Sequence, residues 1–131
     1  MSQTFLYVED DTLSREIMQI MMENLGQDLV CFEDSSNFLS RVDALAVQPQ
    51  VILLDIHILP SNGFQLLDML RQDPKYQHIL IIAITASVMN EEIERLRTSG
   101  FDGAIGKPLD FEKFPMLLEQ LMRGDTVWHI S

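Results

Sequence analysis

The residues able to do chemistry in this chain are acids, a hydroxyl and an ammonium, each placed at the end of an apolar run. Glu9-Asp10 follow the run 4–8 (TFLYV), Asp55 closes Val51-Ile52-Leu53-Leu54, Thr85 closes 78–85 (HILIIAIT), and Lys107 follows Ala104-Ile105-Gly106. If these runs are neighbouring parallel strands, all five side chains meet at one edge of the sheet. Carboxylates held a few ångströms apart repel each other strongly at intermediate dielectric, and a divalent cation removes the conflict. An oxygen-only ligand set that leaves room for water suits Mg²⁺, whereas Zn²⁺ favours His or Cys. With a cation bound and Lys107 alongside, the edge attracts a phosphoryl group. The Asp55 carboxylate can then act as nucleophile to form an acyl phosphate, and Thr85 can donate its hydroxyl to a phosphoryl oxygen. His57 is the only nearby histidine, and its ring reads as a solvated loop side chain.

The elements that must hold these groups alternate along the chain. Val51 to Leu54 are apolar without a polar break, which suits a strand covered by helices on both faces. The loop after it is marked by Pro60 and by Asn62-Gly63. Ser14 to about Leu25 reads as a helix, with Ile17, Met18, Met21, Met22 and Leu25 on one side and Gly26 as its stop. The methionines read as core filler. Leu29 to Phe32 is a second strand, and Ser35 opens a helix carrying Phe38, Leu39, Val42 and Leu45. Phe64 to Arg71 follows as a third helix, and 90–98 (NEEIERLRT) as a charged fourth whose acidic and basic residues read as a solvated face. Ala104-Ile105 is a short fifth strand. Asp110 is expected to cap a last helix with Phe111, Phe114, Leu117, Leu118 and Leu121 as its apolar stripe, and Asp11 to cap the first.

Five strands alternating with five helices predict an α/β fold. The expected form is a doubly wound five-stranded parallel sheet of strand order 2-1-3-4-5, flavodoxin-like, with helices on both faces. The switch point between the first and third strands lies where Glu9, Asp10 and Asp55 would meet. One domain over residues 1–123 is expected from the length, with 124–131, which carries Trp128, as a C-terminal tail that is frayed or docked.

Composition narrows the function classes. Nine basic against 20 acidic residues give a net charge of −11, which argues against direct binding to nucleic acid or anionic lipid. The longest apolar run, Ile79 to Ile84, is far below the roughly 20 residues of a membrane span, and Met1-Ser2-Gln3 has no basic leader region. The single cysteine, Cys31, reads as a small buried hydrophobe and fits a reducing compartment. A cytoplasmic location is the expectation.

Glu9-Asp10, Leu53-Leu54-Asp55-Ile56 with Pro60 and Gly63 beyond, Thr85-Ala86, and Lys107-Pro108, each in order at a strand end, together resemble the response-regulator receiver domain of two-component signalling. The likeness extends over roughly residues 4–122. It implies a phosphorelay protein that accepts a phosphoryl group on Asp55 from a sensor histidine kinase or phosphotransfer protein, with no enzymatic activity beyond its own phosphorylation and dephosphorylation. It also implies Mg²⁺ held by Asp10, Asp55 and the main-chain carbonyl of His57, with Glu9 helping through water. Lys107 would contact the phosphoryl group through a segment whose Lys107–Pro108 bond is cis. Thr85 would move toward the phosphate, and the fourth helix, fifth strand and fifth helix would form the face for a downstream protein. His57 and Ser87 occupy positions that tune phosphoryl lifetime in the family.

Two features depart from that pattern. The position three before the lysine, commonly aromatic in the family, is Ala104, and the nearest aromatic in sequence, Phe101, falls in the wrong register to replace it. No output domain follows, so a stand-alone regulator and a receiver from a larger hybrid kinase fit equally. Ala104 keeps open a second reading, a degenerate receiver that binds partners without phosphate. A phosphatase of the aspartyl-phosphate type would need an acid where His57 stands, and a flavin carrier would need a phosphate cradle where Glu9-Asp10-Asp11 stand.

Overall fold

The computed structural model describes residues 3–86 and 89–130. Ser87, with its expected influence on phosphoryl lifetime, lies outside them. Strands β1 (Thr4–Val8), β2 (Asp28–Phe32), β3 (Val51–Asp55), β4 (Leu80–Thr85) and β5 (Gly103–Gly106) alternate with helices α1 (Thr12–Asn24), α2 (Phe38–Asp43), α3 (Gly63–Arg71), α4 (Asn90–Ser99) and α5 (Phe114–Met122). A further strand, β6 (Val127–His129), follows α5. All pairings are parallel, in the order β2-β1-β3-β4-β5-β6.

The unbroken apolar runs have a direct cause. Phe5, Tyr7, Val51, Leu53, Ile82 and Ile84 face α1 and α5, while Leu6, Val8, Ile52, Leu54, Ile81 and Ala83 face α2, α3 and α4. Successive strand side chains point to opposite faces, and here each face is a core. Met18, Met21 and Met22 of α1 are buried in the first of these cores, the filler role expected of them.

The helix starts follow their caps. Asp11 caps α1 by accepting from the Ser14 backbone N–H at 2.8 Å. The Ser14 hydroxyl and N–H together hold that exposed carboxyl below the usual carboxylate range. Asn62 and Gln65 form a reciprocal capping box on α3, so Asn62-Gly63 is a helix entrance. Two starts differ from expectation. Ser35 does not open α2, because its buried hydroxyl donates to the Ser61 carbonyl at 2.6 Å and accepts from the Ser61 N–H at 2.8 Å, tying two loops together. The helix begins three residues later, at Phe38. Asp110 does not cap α5. Its carboxylate accepts from the N–H groups of Glu112 and Lys113 in a preceding turn, α5 starts at Phe114 with Pro115 in its first turn, and Phe111 is left 51% exposed instead of joining the apolar stripe.

The sixth strand is the main correction to the five-stranded expectation. Three residues are too few to show a period in sequence, yet β6 pairs with β5 along Gly103↔Val127, Ala104↔Trp128 and Ile105↔His129. The tail is therefore docked, with Val127 buried over the α1–α5 side and Trp128 packed against the opposite core. Trp128 lies beside Ala104, and the Arg97 guanidinium of α4 sits 5.3 Å from the indole centroid. Gly103 makes this approach possible, because a Cβ there would stand 2.5 Å from the Val127 carbonyl oxygen. Replacing Gly103 with Ala is accordingly expected to expel β6 and to cost about 1–3 kcal/mol through overpacking. A red shift in the emission of the sole tryptophan checks this; unchanged emission would contradict it.

Candidate acidic site at the strand ends

Register brings the expected residues together. Val8 pairs with Leu54, which sets Glu9 and Asp10, just beyond β1, beside Asp55 at the end of β3. Asp55 pairs with Ile84 and Thr85 with Gly106. The Lys107 N–H donates to the Thr85 carbonyl at 2.8 Å, fixing the segment that carries the ammonium. The Lys107–Pro108 bond is cis, and so is Leu59–Pro60.

Glu9, Asp10 and Asp55 each offer a carboxylate oxygen, and these oxygens lie within 4.8 Å of one another. Glu9 is fully buried and Asp55 is 6% exposed, while Asp10 is exposed. The pocket thus has two fixed acids and one at its open side. Lys107 pairs closely with Glu9, and its Nζ lies 3.8 Å from Asp55 Oδ2. One ammonium against three carboxylates leaves the pocket with surplus negative charge. The donor set is all oxygen and opens toward water through Asp10, so these residues fit a hard divalent cation such as Mg²⁺. Because Lys107 and Tyr7 already engage Glu9, Asp10 and Asp55 have the freer oxygens.

The backbone around Asp55 is held from several sides. The His57 N–H donates to Asp55 Oδ1 at 3.2 Å, and the Gly63 N–H donates to the Ile56 carbonyl at 3.0 Å. Gly63 approaches so closely that a Cβ there would lie 2.9 Å from Ile56 Cα and 3.1 Å from the Asp55 carbonyl oxygen. A larger residue at the start of α3 would push directly on the segment that aims Asp55.

Two contributors were not legible in the sequence. Tyr7 reads as one more apolar strand residue, but Glu9 stands two positions on, just past the strand end, and the Tyr7 hydroxyl donates to Glu9 Oε1 at 2.9 Å. Burial, then the Glu9 carboxylate, pushes the Tyr7 hydroxyl far above its ordinary range, so it stays a donor at any physiological pH. The two-residue spacing of Tyr7, in β1, and Glu9, just past its end, was the available signal. Glu92 reads in the sequence as part of a solvated face. Its side chain is only 20% exposed, with Oε1 3.0 Å from His57 Nε2 and 3.5 Å from the Thr85 hydroxyl, which donates to it. No local pattern signals this, since the contact depends on how α4 is set over the ends of β3 and β4. His57 keeps a 61% exposed ring, as expected of a loop side chain, although that ring is paired with Glu92. Arg95 stays exposed, as a solvated face requires, while its guanidinium lies 3.9 Å over the Phe64 ring.

Residues 5–119 match the response regulator receiver domain family. Among curated proteins, the chain is 30% identical over 115 residues to the polar-differentiation response regulator DivK of Brucella anthropi, covering 87% of this chain and 91% of that one. It is 28% identical over 114 residues to the DivK of Brucella ovis. Among solved structures it resembles a chemotaxis response regulator of Vibrio cholerae with a TM-score of 0.79 at 21% identity, covering 95% of this chain and 99% of the other. The receiver domain of a Pseudomonas aeruginosa sensor histidine kinase, solved with a magnesium ion coordinated in its active site cleft, gives 0.79 at 20% identity, covering 92% and 97%. At these identities the structural likenesses speak for the fold.

Proposed function

Because the chain belongs to the response regulator receiver domain family of two-component signalling, we propose that it is a phosphoacceptor whose Asp55 takes a phosphoryl group from a sensor histidine kinase or phosphotransfer protein, in a Mg²⁺-dependent reaction. The observation that carries this reading is the meeting of Glu9, Asp10 and Asp55 within 4.8 Å, with the Lys107 ammonium beside Asp55. The match in family and fold supports it, as does the magnesium in the cleft of the related Pseudomonas domain.

Each residue then has a role its chemistry allows. Asp10 and Asp55, with the main-chain carbonyl of His57, would hold Mg²⁺, and Glu9 would help through water. The bound cation would neutralise the surplus charge of the pocket and draw in phosphoryl oxygens. An Asp55 carboxylate oxygen attacks phosphorus, the bond from phosphorus to the donor nitrogen or oxygen breaks, and the leaving group departs with that electron pair. Lys107 meets the charge on the incoming group, Thr85 donates its hydroxyl to a phosphoryl oxygen, and the His57 N–H orients Asp55. Tyr7 and Lys107 together hold the Glu9 carboxylate in place inside the fold. No enzymatic step beyond this self-phosphorylation and its hydrolysis is assigned.

The product signals by binding. A downstream protein partner docks on the face of α4, β5 and α5, where β6 now forms the outer edge beside Ala104. Residues 1–123 constitute the receiver, and 124–131 are the C-terminal segment whose β6 adds the outer strand. The protein acts in the cytoplasm without direct contact with nucleic acid or membrane. Among the described residues, no helix is long and apolar enough to cross a bilayer. The second reading, a degenerate receiver that binds partners without phosphate, is favoured only by Ala104.

Incubation with a small-molecule phosphodonor, followed by intact-mass measurement, separates the two. One phosphoryl group is expected with Mg²⁺ and none with a chelator; no added mass under either condition would favour the degenerate reading. Mg²⁺ alone should raise the melting temperature, since a ligand that binds only the folded state stabilises it. An unchanged melt at saturating metal would count against the acidic pocket.

A further inference from the structure

One carboxylate at the mouth of the pocket has no part in the chemistry above. Glu92 lies in the first turn of α4, where an acid next to the helix N-terminus is ordinarily explained by the dipole. Glu91, exposed in the same turn, meets that need without reaching the site. Glu92 instead turns inward, and its Oε1 alone serves two groups from two other elements, the His57 ring at 3.0 Å and the Thr85 hydroxyl at 3.5 Å. Thr85 is 1% exposed, so its hydroxyl has little room to reorient freely.

We propose that Glu92 is a positioning residue for phosphoryl acceptance: its carboxylate holds the Thr85 hydroxyl and the His57 ring in the phosphate-free arrangement and must be displaced before the phosphoryl group can be bound. This rests on the phosphoacceptor reading of Asp55 and adds a named competitor to it. A hydroxyl has one proton to donate. When Thr85 donates to a phosphoryl oxygen, its bond to Glu92 is given up. The carboxylate also repels any anion arriving at Asp55, and in a partly buried site that repulsion is screened less than at the surface. Glu92 therefore sets a threshold for phosphorylation, and α4 is the element that responds when the threshold is passed.

The test compares the wild type with Glu92→Gln, which keeps shape and an acceptor oxygen but loses the charge, with Glu92→Ala, which loses both, and with Glu91→Gln as a control for helix-end charge. Calorimetry gives the affinity for Mg²⁺ alone and for fluoroberyllate, an anionic phosphoryl mimic, in its presence. Intact mass gives the rate of phosphoryl incorporation from acetyl phosphate. Both Glu92 variants are expected to bind the anion and take up phosphate roughly three to ten times better than the wild type, with Mg²⁺ affinity equal or lower, and Glu91→Gln should match the wild type. A gain for the anion with no gain for the cation is the signature of a lost competing charge, because a loosened pocket would weaken both. Should Glu92→Ala melt early, the isosteric Glu92→Gln carries the comparison. Anion binding and rate at or below wild type, or an equal gain from Glu91→Gln, would overturn the proposal while leaving the phosphoacceptor reading in place. If the wild type itself takes neither anion nor phosphoryl group, the phosphoacceptor reading falls and this proposal with it.

Discussion

Replacing Asp55 with Asn is expected to abolish phosphoryl incorporation, to weaken Mg²⁺ binding at least tenfold, and yet to make the metal-free protein more stable. The three effects share one cause. Glu9, Asp10 and Asp55 crowd their oxygens into 4.8 Å against a single ammonium, so the folded state without metal carries a repulsion that the unfolded chain relaxes. Removing one charge relieves it by about 1 kcal/mol, a rise of roughly 4 °C in melting temperature for a domain of this size. The same substitution deletes a metal ligand and the nucleophile. Paired thermal melts with and without Mg²⁺ check the prediction: the variant should melt higher than wild type in chelator and gain little from metal. A variant that melts lower in chelator would show that the acids are not in conflict.

Replacing Lys107 with Met is expected to act oppositely on stability. Glu9 is fully buried, and Lys107 is its charged partner. Removing the partner of a buried carboxylate strands that group, at a cost of about 3 kcal/mol. The Tyr7 hydroxyl still donates to Glu9, but a neutral donor replaces only part of an ammonium. Phosphoryl incorporation should fall about a hundredfold, the usual loss when one group facing developing negative charge is removed. Bound Mg²⁺ should recover some of the lost stability by supplying positive charge to the same carboxylates. Denaturant unfolding in chelator and in Mg²⁺ measures both effects. A metal-free stability equal to wild type would mean that Glu9 does not depend on Lys107.

These opposite signs follow from groups whose positions were legible in the sequence. Each apolar run ends on a polar residue, and runs apolar at every position belong to strands with a core on both faces. The order of the first five strands followed from their alternation with helices, and the order placed Glu9, Asp10, Asp55, Thr85 and Lys107 at one edge. Contacts made across elements by long side chains carried no such signal. Glu92 sits among Glu91, Glu94, Arg95 and Arg97 in a stretch that reads as solvated, and only the placement of α4 over β3 and β4 turns it inward. Ser35 looks like a helix cap until its hydroxyl is seen to serve Ser61. Asp110 looks like another, but a turn takes up its carboxylate before α5 begins. The sixth strand was hidden by its brevity, and its docking depends on the missing side chain of Gly103. It also changes the meaning of Ala104, since Trp128 from β6 lies beside that small residue.

The central claim is that the phosphoryl group arrives on one particular carboxylate. An acyl phosphate on an aspartate is reduced by borohydride to the alcohol, which converts that residue to homoserine. The decisive measurement is therefore peptide mapping after treatment of the full chain with Mg²⁺, a small-molecule phosphodonor and then borohydride. Homoserine at position 55, absent when the metal is chelated, is the expected result. Homoserine at position 10 instead, or at no position in a protein that has bound Mg²⁺, would contradict it.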